Sequence, residues 1–406
     1  MRTRTTGARA TGTVRRPARE PGGRPGASET FDVTVVLDYY APYVSGLTEA
    51  ARNTAEGLAA RGWKVAVACA RHDPTLPTHE VINGVQVFRA PVLARVSRGF
   101  LAPGLPLLTA RLAARSALLH LHQPMPEAAF VAALRSSARL VTTYHIDAFL
   151  PDGPVNRLGM RVADAIARTA VRRADLVIVN SEDQARGSRI WPTIRRRPLR
   201  AIASPCVDRN GGTPRLRDGS GLHVGFMGRI AEDKGIDHLI RAFRGIDDPK
   251  ARLLVAGDYE TVAGGSNIAQ LRAVAGDDAR VRFLGLLRGE TIKDFYASID
   301  VFALPSVSES FGIVQVEAMM TGVPSVTTDL AGSRFPVQAT GFGRLVPPRD
   351  PERLRRAILD MAQLPDAERQ EGRRKAIELF GGEAFLDLHE ESFGALIGRR
   401  PGGSAA

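Results

Sequence analysis

Lysine is nearly missing from this chain: of its 55 basic residues only five are lysine, and the remaining 50 are arginine. The formal charge of +12 therefore follows an arginine- and alanine-rich composition, and no aromatic single-strand platform or grouped zinc motif accompanies it, so specific nucleic-acid binding is not expected. The two cysteines, Cys69 and Cys206, supply neither a disulfide framework nor a metal-ligand spacing, and both are expected to be reduced. No uninterrupted apolar run reaches the roughly 18 residues of a membrane span. The first 30 residues carry seven arginines but no hydrophobic segment of a secretion signal, so a disordered basic tail and a cytoplasmic protein are expected. No G-x-G-x-x-G follows the first apolar strand and no phosphate-binding G-x-x-x-x-G-K-[ST] occurs, which disfavours dehydrogenases and nucleoside triphosphatases. His120, His122 and His145 lack an H-E-x-x-H setting, and no catalytic metal is expected.

What is present is a doubly repeated α/β pattern. FDVTVVLD at 31–38, the helical LTEAARNTAEGLAARG and the strand KVAVACA form the strand–helix–strand unit of a parallel sheet. The pattern continues through GVQVFRAP, a helix near 126–136, ARLVTTYH, a long helix near 154–173, DLVIVNS and RAIAS. The stretch 206–220, CVDRNGGTPRLRDGS, breaks the periodicity, and a second run begins at LHVGFMG. The expected organisation is a tail at 1–30, a Rossmann-like domain at 31–205, a linker at 206–220, a second Rossmann-like domain at 221–380, a last helix at 381–398 that either caps the second domain or crosses back, and a flexible end at 399–406. Strands of the second half are expected at 222–227, 251–256, 281–284, 300–304 and 324–327. Ligands of such sheets sit beyond the carboxyl ends of the strands.

Two polar clusters stand at those ends. In GFMGRIAEDKG, Gly228 and Gly235 keep a strand-to-helix turn open while Arg229 and Lys234 offer a bidentate and a mobile positive charge to phosphates. Asp233 is expected to face away or to orient a base. In SVSESFGIVQVEAMMTG, Glu309 stands at a helix mouth and Glu317 inside the helix, on a face with Ile313, Val314 and Met320 where Thr321 is the one polar neighbour. A carboxylate so placed needs hydroxyl or other donors. In the first half, Ser45-Gly46 permits a close backbone approach, Tyr39 or Tyr40 lines the opposite side, and His145 at a strand end can reach a ligand, with Asp147 to orient it or bind an acceptor. His122 is as readily a core or loop residue as a ligand contact. Arg95, Arg98, Arg111 and Arg115, interspersed with apolar residues, and RRRPLR at 195–200 are a surface that anionic lipid could attract.

Taken together, YYAPYVSGLTEAARNTAEGLAARGWKVAV, TTYHIDAF, ADLVIVNSE, GFMGRIAEDKGIDHLIRAF, DVFALPSVSESFGIVQVEAMMTGVPSV and TGFGRLVPPRD resemble a retaining glycosyltransferase of family 4 with the two-domain GT-B fold, over about residues 34–350. The resemblance implies that Arg229 and Lys234 bind the donor diphosphate, that Glu317 holds the nucleotide ribose, and that Glu309 contacts the transferred sugar. It further implies that Phe311, Gly312 and Ile313 shape the phosphate site, that Gly46 lies against the donor, and that His145 approaches the sugar; Gly228, in the turn between Arg229 and its strand, is counted with the donor-binding residues. A nucleoside diphosphate sugar would be the donor, with no other cofactor, and the acceptor a carbohydrate, glycolipid or small molecule. Two departures stand out: Ser45-Gly46 replaces the paired glycines frequent in the family, and SPCVD at 204–208 lacks the usual asparagine-glycine. A natural-product glycosyltransferase, a phosphorylase-like enzyme and a noncatalytic nucleotide-sugar-binding protein are the alternatives. Oligomeric state is not encoded legibly.

Overall fold

The computed structural model describes residues 19–20, 29–43, 45–96, 99–148, 153–259 and 266–399. Most of the tail read at 1–30, and all but Arg399 of the end read at 399–406, lie outside these residues, as does Arg98.

The first domain is built on strands β1 (Arg19–Glu20), β2 (Phe31–Val36), β3 (Val65–Ala70), β4 (His79–Ile82), β5 (Val85–Ala90), the hairpin β6 (Ala94–Val96) and β7 (Gly99–Leu101), β8 (Ser116–Gln123), β9 (Arg139–Tyr144), β10 (Leu176–Val179) and β11 (Leu199–Ala201). Its main sheet has the order β1-β4-β5-β3-β2-β8-β9-β10-β11, parallel from β5 to β11, with β4 and β1 added antiparallel at one edge. Every residue of β3, VAVACA, is buried, the composition that a parallel strand covered on both faces requires. One face carries α1 (Gly46–Ala60); the other carries the contacting helices α2 (Leu105–Ala113), α3 (Ala128–Ala133) and α4 (Pro154–Arg173), while α5 (Glu182–Arg186) and α6 (Trp191–Ile194) complete the domain. The helix expected from about 107 starts at Leu105, because Pro106 stands in the first turn where it costs no hydrogen bond. It gives way at Ser116 to β8, so His120 and His122 lie within a central strand.

The second domain contains β12 (His223–Met227), α7 (Ile236–Arg244), β13 (Arg252–Ala256), α8 (Ile268–Ala275), β14 (Val281–Gly285), α9 (Glu290–Ala297), β15 (Val301–Leu304), α10 (Ile313–Met320), β16 (Ser325–Thr328), α11 (Phe335–Thr340), β17 (Gly343–Val346), α12 (Pro351–Ala362) and α13 (Asp366–Phe380). Its six strands run in the order β14-β13-β12-β15-β16-β17. The third-to-first, then fourth-to-sixth succession is that of a doubly wound dinucleotide-type sheet. Its sixth strand, β17, was not expected from the sequence. Residues 213–217 are fastened to this domain, with the Thr213 N–H donating to Asp294 at 2.8 Å and Arg217 pairing with Asp300 at 3.0 Å.

The chain passes between the domains twice, and the two passages touch. The Cys206 N–H donates to the Phe380 carbonyl at 3.2 Å, and Cys206 bridges Gly381. Beyond that point α14 (Gly382–Ile397) leaves α13 and packs on α1 of the first domain. Arg61 pairs with Glu383, Asp387 and Glu390 at 2.6, 2.7 and 3.0 Å, and the Trp63 indole donates to Glu390 at 2.9 Å. Phe393, fully buried, meets the rings of Trp63 and His120. Elsewhere Arg334 of the second domain grips Asp183 of the first through two bonds of 2.8 and 2.6 Å. No helix among the described residues is long and apolar enough to cross a membrane.

Truncating Phe393 to alanine is expected to cost about 3–5 kcal/mol of unfolding free energy in urea, the range for a buried aromatic whose cavity cannot collapse. A loss below about 1 kcal/mol would mean that α14 contributes little to the first domain's stability.

Candidate functional site

Strand β12 lies between β13 and β15, and the loops that follow β12 and β15 meet at the carboxyl edge of the sheet. They are tied by the backbone, the Val307 N–H donating to the Asp233 carbonyl at 2.9 Å. Gly235 makes that approach possible: its φ is +62°, and a Cβ there would stand 2.2 Å from the Pro305 carbonyl oxygen. The consequence is a meeting of side chains far apart in sequence. Lys234 Nζ lies 2.8 Å from Glu309 Oε2, both side chains mostly buried, and 3.8 Å from Asp233, which itself pairs with Arg229 at 3.1 Å. Asp233 thus does not face away: it links the two basic residues. Lysine has three N–H donors, so the contact to Glu309 leaves capacity for an anion.

Glu309 and Gly312 precede α10, whose first-turn amides point toward the same edge. Gly312 caps that helix at φ +80°, where a Cβ would meet the Gln315 amide at 2.4 Å. Phe311 is corrected: its ring is 1% exposed and packs on Phe335 and Phe380, so only its backbone can serve a ligand. Ile313 is partly buried against the same cluster. Gly228 is spaced by its own strand, a Cβ there approaching the Phe226 ring at 3.2 Å.

Glu317 is buried, as expected, but its charge is met by residues that sequence reasoning missed. The Arg209 guanidinium donates to Oε1 at 3.0 Å from the interdomain passage, and the Tyr296 hydroxyl of α9 donates to Oε2 at 3.1 Å. Burial raises the Glu317 pKa, and Arg209, Tyr296 and the Val207 N–H oppose that rise. Thr321, the expected polar partner, instead donates to the Ala318 carbonyl at 2.8 Å; a threonine in the last turn finds a backbone acceptor close at hand. Neither VDRN nor DFYASID carries a motif that would have pointed to Arg209 or Tyr296.

On the first domain, Ser45 caps α1, accepting from the Thr48 N–H at 3.2 Å, and Gly46 opens the helix with no atom within 4 Å of a Cβ position. The serine that departs from the paired glycines is therefore a helix cap. Tyr40 is fully buried and leaves Tyr39, stacked on Tyr43 with ring centroids 4.2 Å apart, as the tyrosine at the surface. Asp147 does not orient His145. It accepts from Tyr144 at 2.6 Å, Ser188 at 2.5 Å and the Arg189 N–H at 2.9 Å, which hold its pKa down against burial.

The partner of His145 is His122, Nε2 to Nδ1 at 2.9 Å with the rings nearly parallel. The His120 ring lies tilted against His122, its centroid 4.2 Å away, and His389 of α14 approaches His120, so the first domain's side holds four buried imidazoles in succession. Burial depresses the pKa of each, that of His145 and of His389 from 6.5 to about 4. They are neutral near pH 7, and one nitrogen of each ring then donates while the other accepts. Among the described residues no group of three or more His, Cys, Asp or Glu converges as metal ligands would. Between pH 6.5 and about 4 the unfolded chain binds protons that the folded imidazoles refuse. Stability is therefore full above that window and falls with pH across it, by about 1.4 kcal/mol per unit for each imidazole. Thermal midpoints measured from pH 7 to pH 5 are expected to fall less steeply for His389→Gln than for the parent; parallel profiles would show that His389 does not carry this loss.

The family described as glycosyl transferase 4-like domain matches residues 45–204, and that described as glycosyl transferases group 1 matches residues 221–363. The D-inositol 3-phosphate glycosyltransferase of Mycobacterium marinum is 31% identical over 220 residues, 51% of this chain and 45% of that protein. The chain spans less than half the length of the curated relatives it matches. Among solved structures, the sucrose-phosphate synthase of Thermosynechococcus elongatus superposes with a TM-score of 0.68 at 21% identity over 90% of this chain and 99% of that one. The Anabaena protein HepE in complex with UDP and glucose does so with 0.64 at 21% identity, over 90% and 100%. These likenesses show the fold. With one matching family on each parallel-sheet domain, the chain belongs to the group 1, family-4-like glycosyltransferases and has their GT-B architecture.

Proposed function

We propose that the chain is a retaining, metal-independent glycosyltransferase that moves a hexose from a nucleoside diphosphate sugar to an acceptor hydroxyl, in the making of an envelope glycan or glycolipid. The observation that carries this reading is the partly buried charge cluster of Arg229, Asp233, Lys234 and Glu309 at the sheet's switch point, beside the open N-terminus of α10. HepE, which shares the fold, is solved with UDP and glucose; in this chain a diphosphate at the carboxyl edge of the second sheet would meet Lys234 and Arg229.

As the anomeric C–O bond weakens, negative charge grows on the departing diphosphate. Preorganised cations and helix amides stabilise that charge more than they stabilise the ground state, which is the requirement for acceleration. The acceptor hydroxyl attacks from the face the leaving group vacates, and a phosphate oxygen takes its proton, so no separate protein base is needed. Glu309, held by Lys234 and by its own neighbour's N–H, then serves to position the sugar. His145, neutral because it is buried, can donate one hydrogen bond to a sugar hydroxyl without placing a cation beside the developing positive charge at the anomeric carbon. Glu317 would accept the two ribose hydroxyls, with the ribose replacing Arg209 on Oε1. The site is expected to work in the cytoplasm, where nucleotide sugars are supplied.

The test is mass spectrometry of the protein, without added metal, against a panel of nucleoside diphosphate sugars paired with simple-sugar and lipid-linked acceptors. Acceptor-dependent glycosylated product is expected; donor binding without transfer would favour a noncatalytic binder. Lys234→Ala is expected to lower turnover by about 100-fold or more and to weaken diphosphate binding. Glu317→Gln is expected to weaken nucleoside diphosphate affinity by about ten-fold, roughly the worth of a charge-assisted hydrogen bond. Parental affinity for both folded variants in calorimetry would reject the assignments.

A further inference from the structure

Helices α2, α3 and α4 form one layer over the first sheet, α3 touching both of the others. Each buries its inner side, so their outward residues share one surface. That surface is unusual in two respects. It exposes large apolar side chains on all three helices: Leu107 is 60% exposed, Phe130 66%, Leu134 42%, Leu158 62% and Val162 51%. It also carries positive charge with no outward carboxylate from the helices themselves. Arg111, Arg157, Arg161 and Arg172 are exposed, whereas Asp164, the single acidic residue within the three helices, is buried and held by Arg189 at 2.9 Å. Glu127, at the mouth of α3, is likewise buried and accepts from the Ala102 N–H.

From this geometry we propose that the outer face of α2, α3 and α4 docks on an anionic phospholipid bilayer. The arginines alternate with the apolar residues along α4, where Leu158 and Val162 stand one turn apart, as do Arg157 and Arg161. A protein partner is better served by a continuous apolar centre from which charge is excluded. A lipid surface accepts the interleaved arrangement: leucine and phenylalanine enter the acyl boundary while guanidinium groups reach the phosphates above it. The sequence placed the lipid-facing charge around residues 95–115 and 195–200; the structure adds to Leu107 of α2 the exposed apolar side chains of α3 and α4, farther along the chain. Strand β9 and the His145–Asp147 segment lead into α4, so docking would present the first domain's side of the site to a membrane-borne acceptor. This deepens the acceptor half of the proposed function but does not depend on turnover.

The experiment is flotation of the full chain with phosphatidylcholine vesicles, with and without phosphatidylglycerol. Recovery with the anionic vesicles alone, weakening as salt rises, is expected. Arg157→Gln combined with Arg161→Gln should lower the partition coefficient about five-fold for each arginine, the factor that ~1 kcal/mol per basic residue near an anionic surface implies. Phe130→Ser combined with Leu158→Ser should lower it as well, while Arg353→Gln combined with Arg356→Gln, on α12 of the other domain, should leave it unchanged. Equal recovery with neutral and anionic vesicles, or parental binding by both α3–α4 variants, would overturn the assignment. Failure of the parent to float would overturn it too and return this face to an acidic protein partner. Circular dichroism and diphosphate calorimetry on the same variants separate loss of the surface from loss of the fold or of the donor site.

Discussion

In the doubly wound order of the second sheet, the helices that follow β12 and β15 depart to opposite faces: α7 packs with α8 and α12, whereas α10 packs with α13. No helix can cover the seam between the two departures, and the candidate site occupies it. Both critical loops begin there, and the backbone bond from Val307 to Asp233 holds them at a fixed spacing. Gly235 is what that spacing demands, since any side chain would collide with the Pro305 carbonyl. The Lys234–Glu309 pair is then a product of topology as much as of the two residues, which lie 75 positions apart in sequence.

Carboxylates at this seam are handled in two ways. Glu309 is balanced by an amine that retains donors for a ligand. Glu317 is closed off on both oxygens by groups of the protein. Removing a charge from water costs several kcal/mol unless donors replace the lost hydration, and the interdomain passage supplies them through Arg209 and the Val207 amide. The absence of asparagine-glycine in that passage therefore does not leave it idle: in this chain it contacts the residue assigned to the ribose.

Much of the fold was legible because parallel strands announce themselves. Continuous apolar runs such as VAVACA, which a helical period precedes, and DVFALP, which one follows, located their strands to within a residue or two. β17 escaped because its four residues, Gly343–Val346, lack such a run. β8 escaped in part because its two histidines interrupt an apolar strand, yet both are buried as neutral rings. At the site, residues inside a single loop were readable, among them Arg229, Lys234 and Glu309. Partners supplied by another segment were not: Arg209 and Tyr296 reach Glu317, and His122 reaches His145, through the tertiary fold alone. Asp147 was misread for the same reason, its acceptors being committed to Ser188 and Arg189, some 40 residues away.

The contact between Cys206 and Gly381 brings both connecting segments onto a single line. Rotation of one domain about that line would bend two adjacent backbones and leave each sheet intact, a hinge in the mechanical sense. The Arg334–Asp183 pair lies off the connecting segments, a two-pronged contact that Asp329 extends on the second domain's side, so it would have to part on such a rotation. The two halves are thus joined at the axis through Cys206 and away from it through Arg334. In any opening about this axis, α14, anchored by Arg61 and Phe393, would travel with the first domain.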